Sequence, residues 1–257
     1  MKNKKTEQKF YENYAAHWIE ANERLIKDLE SHYKINVLSS IIPKGLRFGR
    51  VLEFGCGNAA GLKLMSKFTK VNDLTGIDIS KKMIELAKKN FPKAKLIRGD
   101  LKTLKKLNRK FDLILLLDIL EHLPDPQEAL RIARQKAKFL AIKVPLEKTF
   151  YNDVFGYNLS SDTGHLHFFT ANDFEKLLEG EKIKTISKKV TFPPKEIALN
   201  DFFIAKFRQS KFGYLHMVLL RLLRLLPYSI ISFFLGLKNG KDLFLFGCSK
   251  TNENSFC

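Results

Sequence analysis

Four acidic residues each close an apolar run: Glu53 follows Val51 and Leu52, Asp78 follows 74–77, Asp100 follows 96–99, and Asp118 follows 113–117. Directly after the first run come Gly55 and Gly57, in the string VLEFGCGNAAG. A glycine turn lets backbone approach a ligand with no side chain between, and a helix starting behind it offers free N–H groups. If the runs are parallel strands of one sheet, their C-terminal ends share an edge and the four carboxylates face one crevice. Asp78, 21 residues after Gly57, has the spacing of a ribose-binding acid, but the pyrophosphate of a nicotinamide dinucleotide would be repelled by Glu53 and Asp100. A ligand joining a positive charge to a ribose diol fits better.

Histidine supplies the second kind of chemistry. His122 follows the fourth run in the string DILEHLPDP, and His165 and His167 lie in a later aromatic stretch. With an unperturbed pKa of about 6.5, these are the candidates for a base that takes a proton from an acceptor. Lining a pocket is the commoner role for such residues.

The elements that must position these groups follow a βαβ rhythm. Strands are expected at 50–55, 73–78, 95–99, 111–117 and 138–144, with helices at 59–69, 80–90 and 126–136 between them. Ser80 is placed to cap the second of these helices, and 102–110 reads as a charged turn. Run 111–117 is apolar except for Asp112, as a central strand covered on both faces should be. Thr170 is expected to cap a helix at 171–179, followed by a strand at 182–192 and a last strand at 243–248. Residues 7–40 read as a helical preface carrying Tyr11, Tyr14 and Trp18, either a lid or a staple onto the sheet. Between 145 and 169 lies a long connection rich in aromatic residues and histidine.

With VLEFGCGNAAG, TGIDIS, IRGDL and FDLILLLDILEHLPDP in this order, the chain resembles the class I S-adenosylmethionine-dependent methyltransferases, in the small-molecule group that includes ubiquinone-type enzymes. The resemblance covers roughly residues 10–192 and departs where many relatives carry a third glycine and this chain has Ala59. It implies an α/β fold: a doubly wound, seven-stranded Rossmann-like sheet with an N-terminal helical cap, a hydrophobic helical insert before the last strand, and that strand antiparallel between the fifth and sixth. It also implies S-adenosylmethionine as cofactor. Glu53, Gly55, Cys56 and Gly57 would lie along its methionine part, with Asp118 nearby. Asp78 would hold the ribose, Ile79 would pack on adenine, and Asp100 with Leu101 would meet the adenine edge. No metal is expected.

Length is consistent with a single domain, divided into a cap at 1–44, a core at 45–204, the insert at 205–240 and the last strand at 241–250. The net charge of +18 attracts anions, yet lysines such as Lys63, Lys81, Lys88 and Lys102 recur through successive segments, as on solvated helix faces. Nucleic acid is therefore disfavoured as a partner. Cys56, Cys248 and Cys257 form no CxxC pair, which argues against a disulfide framework and fits a reducing cytoplasm. No secretory signal is visible at the N-terminus.

Residues 212–237 are too apolar for an ordinary surface helix, but the longest uncharged run, 225–237, has thirteen residues against the roughly 20 needed to span a bilayer. Two readings stay open. One is an interfacial hairpin on an anionic membrane, which would place the protein peripherally at the inner membrane face; the other is a helix pair buried against the domain or a homodimer partner.

Neither the Asn/Asp-Pro-Pro-Tyr signature of amino-methylating nucleic-acid enzymes nor a Pro-Cys nucleophile follows the fourth strand. The acceptor expected is therefore a hydroxyl or activated carbon on a small-molecule or lipid- or sugar-linked compound. An RNA methyltransferase and a non-catalytic membrane- or partner-binding module are the alternatives.

Overall fold

The computed structural model describes residues 24–146, 165–191, 194 and 242–249. Tyr11, Tyr14, Trp18, most of the 145–169 connection and the insert at 212–237 lie outside the described residues.

Helix α1 (Arg24–Ile41) precedes strand β1 (Arg50–Phe54), and the chain then alternates α2 (Ala60–Thr69), β2 (Asp73–Asp78), α3 (Lys81–Asn90), β3 (Lys95–Arg98), α4 (Leu101–Lys106), β4 (Phe111–Leu117), α5 (Pro126–Lys136) and β5 (Ala137–Pro145). Helix α6 (Ala171–Gly180), β6 (Ile183–Thr191) and β7 (Asp242–Ser249) complete it. The seven strands stand in the order β3-β2-β1-β4-β5-β7-β6. β1 to β5 are parallel, and β7 pairs antiparallel with both β5 and β6. This is the doubly wound α/β sheet expected, with the last strand inserted between the fifth and sixth.

Alternation along the central strands divides the core between the two faces of the sheet. Leu52, Ile114 and Leu116 pack with Leu104 of α4, Leu130 of α5 and Phe174 of α6. Val51, Leu113 and Leu115 pack with Leu38 of α1, Leu62 and Met65 of α2 and Ala87 of α3. Leu113 to Leu116 are fully buried, each worth about 1.5–3 kcal/mol of transfer free energy, so β4 is the axis of the core. Asp112, its one polar residue, accepts the N–H groups of Gly49 and Arg50 at 2.7 and 2.8 Å and so anchors the start of β1.

Local signals set most boundaries. Ser80 accepts the Met83 N–H and Thr170 accepts the Asp173 N–H, capping α3 and α6 as expected. Residues 101–106 correct the sequence reading, being helix rather than turn. Asp100 and Thr103 form a reciprocal capping box there, a signal masked in the sequence by four lysines and arginines close behind. Cys248 is disulfide-bonded, although the cysteine spacing argued against a disulfide framework, while Cys56 is a free, buried thiol. Among the described residues, no helix is long and apolar enough to cross a membrane.

Candidate active site

The parallel strands end together at one edge, and the turn after β1 is shaped there. Gly55 and Gly57 have φ of 78° and 49°, and Ala59 takes the same left-handed region at 61°. Ala59 thus does the conformational work of a glycine. The Gly55 and Cys56 amides donate to the Ile77 carbonyl at 2.8 and 3.0 Å, laying the loop across the end of β2. A side-chain carbon at Gly57 would meet nothing within 4 Å, so open space lies against the loop.

Asp78 holds this loop. Its Oδ2 accepts the Gly57 N–H at 2.8 Å and its Oδ1 accepts the Ser80 N–H at 2.9 Å. Ile79 is half-buried, and its carbonyl accepts the Arg98 Nε–H. Asp100 caps α4 at the end of the neighbouring strand, and Leu101 packs on the core. Cys56 is buried beneath the loop, where burial, reinforced by the charges of Asp78 and Glu53, pushes its thiol up.

Glu53 is only 4% exposed. Burial pushes its carboxyl up to about 8, against the opposing pull of Lys34 and the Leu62 N–H, and its Oε2 has no hydrogen-bond partner among the described residues. A buried carboxyl with an unpartnered oxygen beside an open glycine turn suits a cationic group. A substituent at Gly61 would come within 2.8 Å of Glu53 Oε1, so the following helix can approach only because that position is glycine.

Asp118 follows β4 with φ of 50°, and its amide donates to the Lys143 carbonyl at 3.1 Å. Its carboxylate is paired with Lys143 of β5 and, at 2.5 Å, with Lys34 of α1. Lys143 also meets Asp242 at 2.9 Å, and the Tyr33 hydroxyl donates to Asp242 at 3.1 Å. Burial by itself would raise the Asp118 carboxyl, but the two ammonium groups hold it well below the carboxylate range. Both lysines are raised despite burial, Lys34 by Asp118 and Glu30, Lys143 by Asp118 and Asp242. The acid row is therefore partly neutralised from within. Sequence reasoning did not find this network, although a lysine inside the buried strand at 143 was its signal.

The short 3₁₀ turn Leu120–His122 then carries Glu121, which is 1% exposed. Its carbonyl accepts the amides of Leu166 and His167 at 2.7 and 3.1 Å, drawing the later histidine segment onto the turn. The His122 and His165 rings consequently meet edge to face, centroids 4.6 Å apart. Glu121, His122 and His165 each offer a ligand atom within 4.8 Å of the others, a donor set that could hold a metal and that the sequence reading did not foresee. His167 stands apart: its ring stacks on Phe169, and its buried Nε2 finds no hydrogen-bond partner among the described residues.

This geometry is matched by family likeness. A family model described as a methyltransferase domain matches residues 22–181, more than half of the chain. The chain belongs to the methyltransferase domain family. It is of the class I S-adenosylmethionine-dependent kind, and the glycine turn, the buried Glu53 and Asp78 fit that cofactor. The ubiquinone biosynthesis O-methyltransferase of Coxiella burnetii is 31% identical over 90 residues, covering 34% of this chain and 38% of that protein. The chain thus matches less than two fifths of the length of this curated relative. Among solved structures, the methyltransferase in complex with the Haloferax volcanii Trm112 activator shares the fold with a TM-score of 0.63 at 12% identity, over 94% of this chain and 98% of that one. A Haemonchus contortus phosphoethanolamine N-methyltransferase, in complex with phosphomonomethylethanolamine and S-adenosylhomocysteine, shares it with a TM-score of 0.60 at 16% identity, over 86% of this chain and 53% of that one.

Proposed function

We propose that this methyltransferase moves a methyl group to a hydroxyl or activated carbon of a small-molecule or lipid- or sugar-linked acceptor, working in the cytoplasm and peripherally at the inner membrane face. S-adenosylmethionine supplies the methyl group on a sulfonium centre. The turn at Gly55, Cys56 and Gly57 and the carboxyl of Glu53 receive its methionine part, Asp78 the ribose, and Ile79, Asp100 and Leu101 the adenine. Asp118 acts beside them with its charge already balanced by Lys34 and Lys143.

The observation that carries the reading is the His122–His165 pair, its rings 4.6 Å apart where the later histidine segment meets the turn that follows β4. A hydroxyl acceptor must lose its proton as its oxygen takes up the methyl group, and imidazole is the side chain suited to remove it near neutral pH. The similarity to a ubiquinone biosynthesis O-methyltransferase supports oxygen as the accepting atom. His167, held on Phe169, serves as a wall of the acceptor space.

The test is transfer of labelled methyl from S-adenosylmethionine to phenolic and catecholic acceptors, with and without a polyisoprenoid tail. His122→Asn and His165→Asn should each lower kcat by about 10²–10⁴ with cofactor affinity unchanged, and His167→Asn should change KM more than kcat. Full activity in both His122→Asn and His165→Asn would refute the base assignment.

A further inference from the structure

The net charge is not spread evenly along the chain. Residues 81–110 hold twelve lysines and arginines against two acids, whereas residues 111–146 hold five of each. A general surplus of surface lysine would have charged both stretches alike. In the fold, most of 81–110 is gathered at one place: β3 is an edge strand of the sheet, and α3 and α4 flank it, while Arg109 and Lys110 turn away to Asp73 and the Gln135 carbonyl. Ala87 of α3 belongs to the core of one face and Leu104 of α4 to that of the other, so the two helices cover opposite faces. Their exposed lysines, among them Lys88, Lys89, Lys105 and Lys106, join Lys95 and Arg98 of β3 in a basic wrap around this edge. What was scattered in the sequence is gathered by the topology.

We propose that the β3 edge is an electrostatic docking surface for an anionic lipid bilayer. Three observations favour a bilayer over nucleic acid. Ten of the twelve cations are lysine, a hydrated point charge suited to diffuse attraction, where arginine would supply the forked contacts that read phosphates and bases. The stretch has one aromatic residue, Phe91, and it is buried, so this edge offers no platform for stacked bases. Another basic stretch, 195–241, has eight lysines and arginines against two acids and contains the uncharged apolar run 225–237, which a bilayer can use and a polynucleotide cannot. The docking role depends on the proposed function only for its purpose, delivery of a lipid-linked acceptor to the crevice.

The test is co-sedimentation of the full chain with vesicles, in the absence of cofactor and acceptor. Wild type should bind vesicles containing phosphatidylglycerol, release them in high salt, and ignore pure phosphatidylcholine. Lys88→Glu, Lys89→Glu, Lys105→Glu and Lys106→Glu combined should weaken that binding by about a hundredfold or more, and the matching glutamine variant by less. Each variant is checked for wild-type thermal unfolding and cofactor affinity. Undiminished vesicle binding by both folded variants would overturn the proposal, as would tight binding of wild type to duplex or single-stranded RNA that displaces it from vesicles. Methyl transfer to soluble acceptors is measured without vesicles, so failure of docking and failure of the proposed function are separately visible.

Discussion

Asp78 Oδ2 lies 2.8 Å from the amide nitrogen of Gly57 and accepts its hydrogen bond, joining the end of β2 to the turn after β1. Its other oxygen takes the Ser80 N–H, so one carboxylate shapes the glycine turn and the start of the next helical segment. Asp78→Ala should therefore weaken binding of S-adenosylmethionine by about 1–3 kcal/mol, through the lost ribose acceptor and a loosened turn. Asp78→Asn, which keeps one acceptor oxygen, should fall between. Calorimetric titration measures both, and an unchanged affinity for the alanine variant would remove Asp78 from the cofactor site.

The two turn glycines should fail differently. Alanine at Gly55 puts a methyl 2.8 Å from Ile119 Cδ1 at a φ of 78°, so a stability loss of about 2–3 kcal/mol is expected in urea denaturation. At Gly57 a methyl meets open space, and Ala59 tolerates a similar φ in the same turn. There the stability loss should stay near 1 kcal/mol, while cofactor affinity drops about tenfold because the methyl stands where the ligand must approach.

Glu53 makes stability depend on pH. Its carboxyl is raised to about 8 in the folded chain, mainly by burial, from an ordinary value of 4.5. The folded state therefore favours the protonated form. The stability this contributes is fully present below pH 4.5 and is lost as pH rises through about 8, at up to about 1.4 kcal/mol per pH unit between. Thermal unfolding of wild type and Glu53→Gln should diverge over that window, with the variant the flatter of the two. A cationic cofactor favours the ionised carboxyl, so binding near pH 7 should release a proton, measurable as a buffer-dependent calorimetric enthalpy. Parallel pH profiles for the two proteins would contradict the buried-acid assignment.

Lys143 touches two carboxylates, Asp118 and Asp242, with its side chain 8% exposed. Lys143→Met removes the cation and leaves both acids in place, at a cost of about 3–5 kcal/mol. Adding Asp118→Asn should restore part of that loss, since one uncompensated charge disappears with it. A double-mutant cycle in denaturant measures the coupling, and strict additivity would mean that the pair acts independently.

How much of this was legible beforehand follows from the range of each interaction. Alternation, glycine turns and caps are near-neighbour effects, so the strands that carry Glu53 and Asp78 and the strand that precedes Asp118, with the caps at Ser80 and Thr170, could be read from adjacent residues. The capping box at Asp100 is equally local, but the lysine-rich string around it has the composition of a solvated turn.

The sequence by itself determined the order of strands and helices, the glycine turn and the row of acids at one sheet edge, because periodicity and capping depend on residues a few places apart. Only the tertiary structure decided what charge those acids present and which histidine can work with which. Asp118 is balanced by Lys34, 84 residues earlier, and by Lys143 on a neighbouring strand. His165 reaches His122 because the Glu121 carbonyl holds the amides of Leu166 and His167, a contact spanning more than forty residues. Ionisation and proximity are properties of the surroundings of a group, and those surroundings exist only once distant segments have packed together.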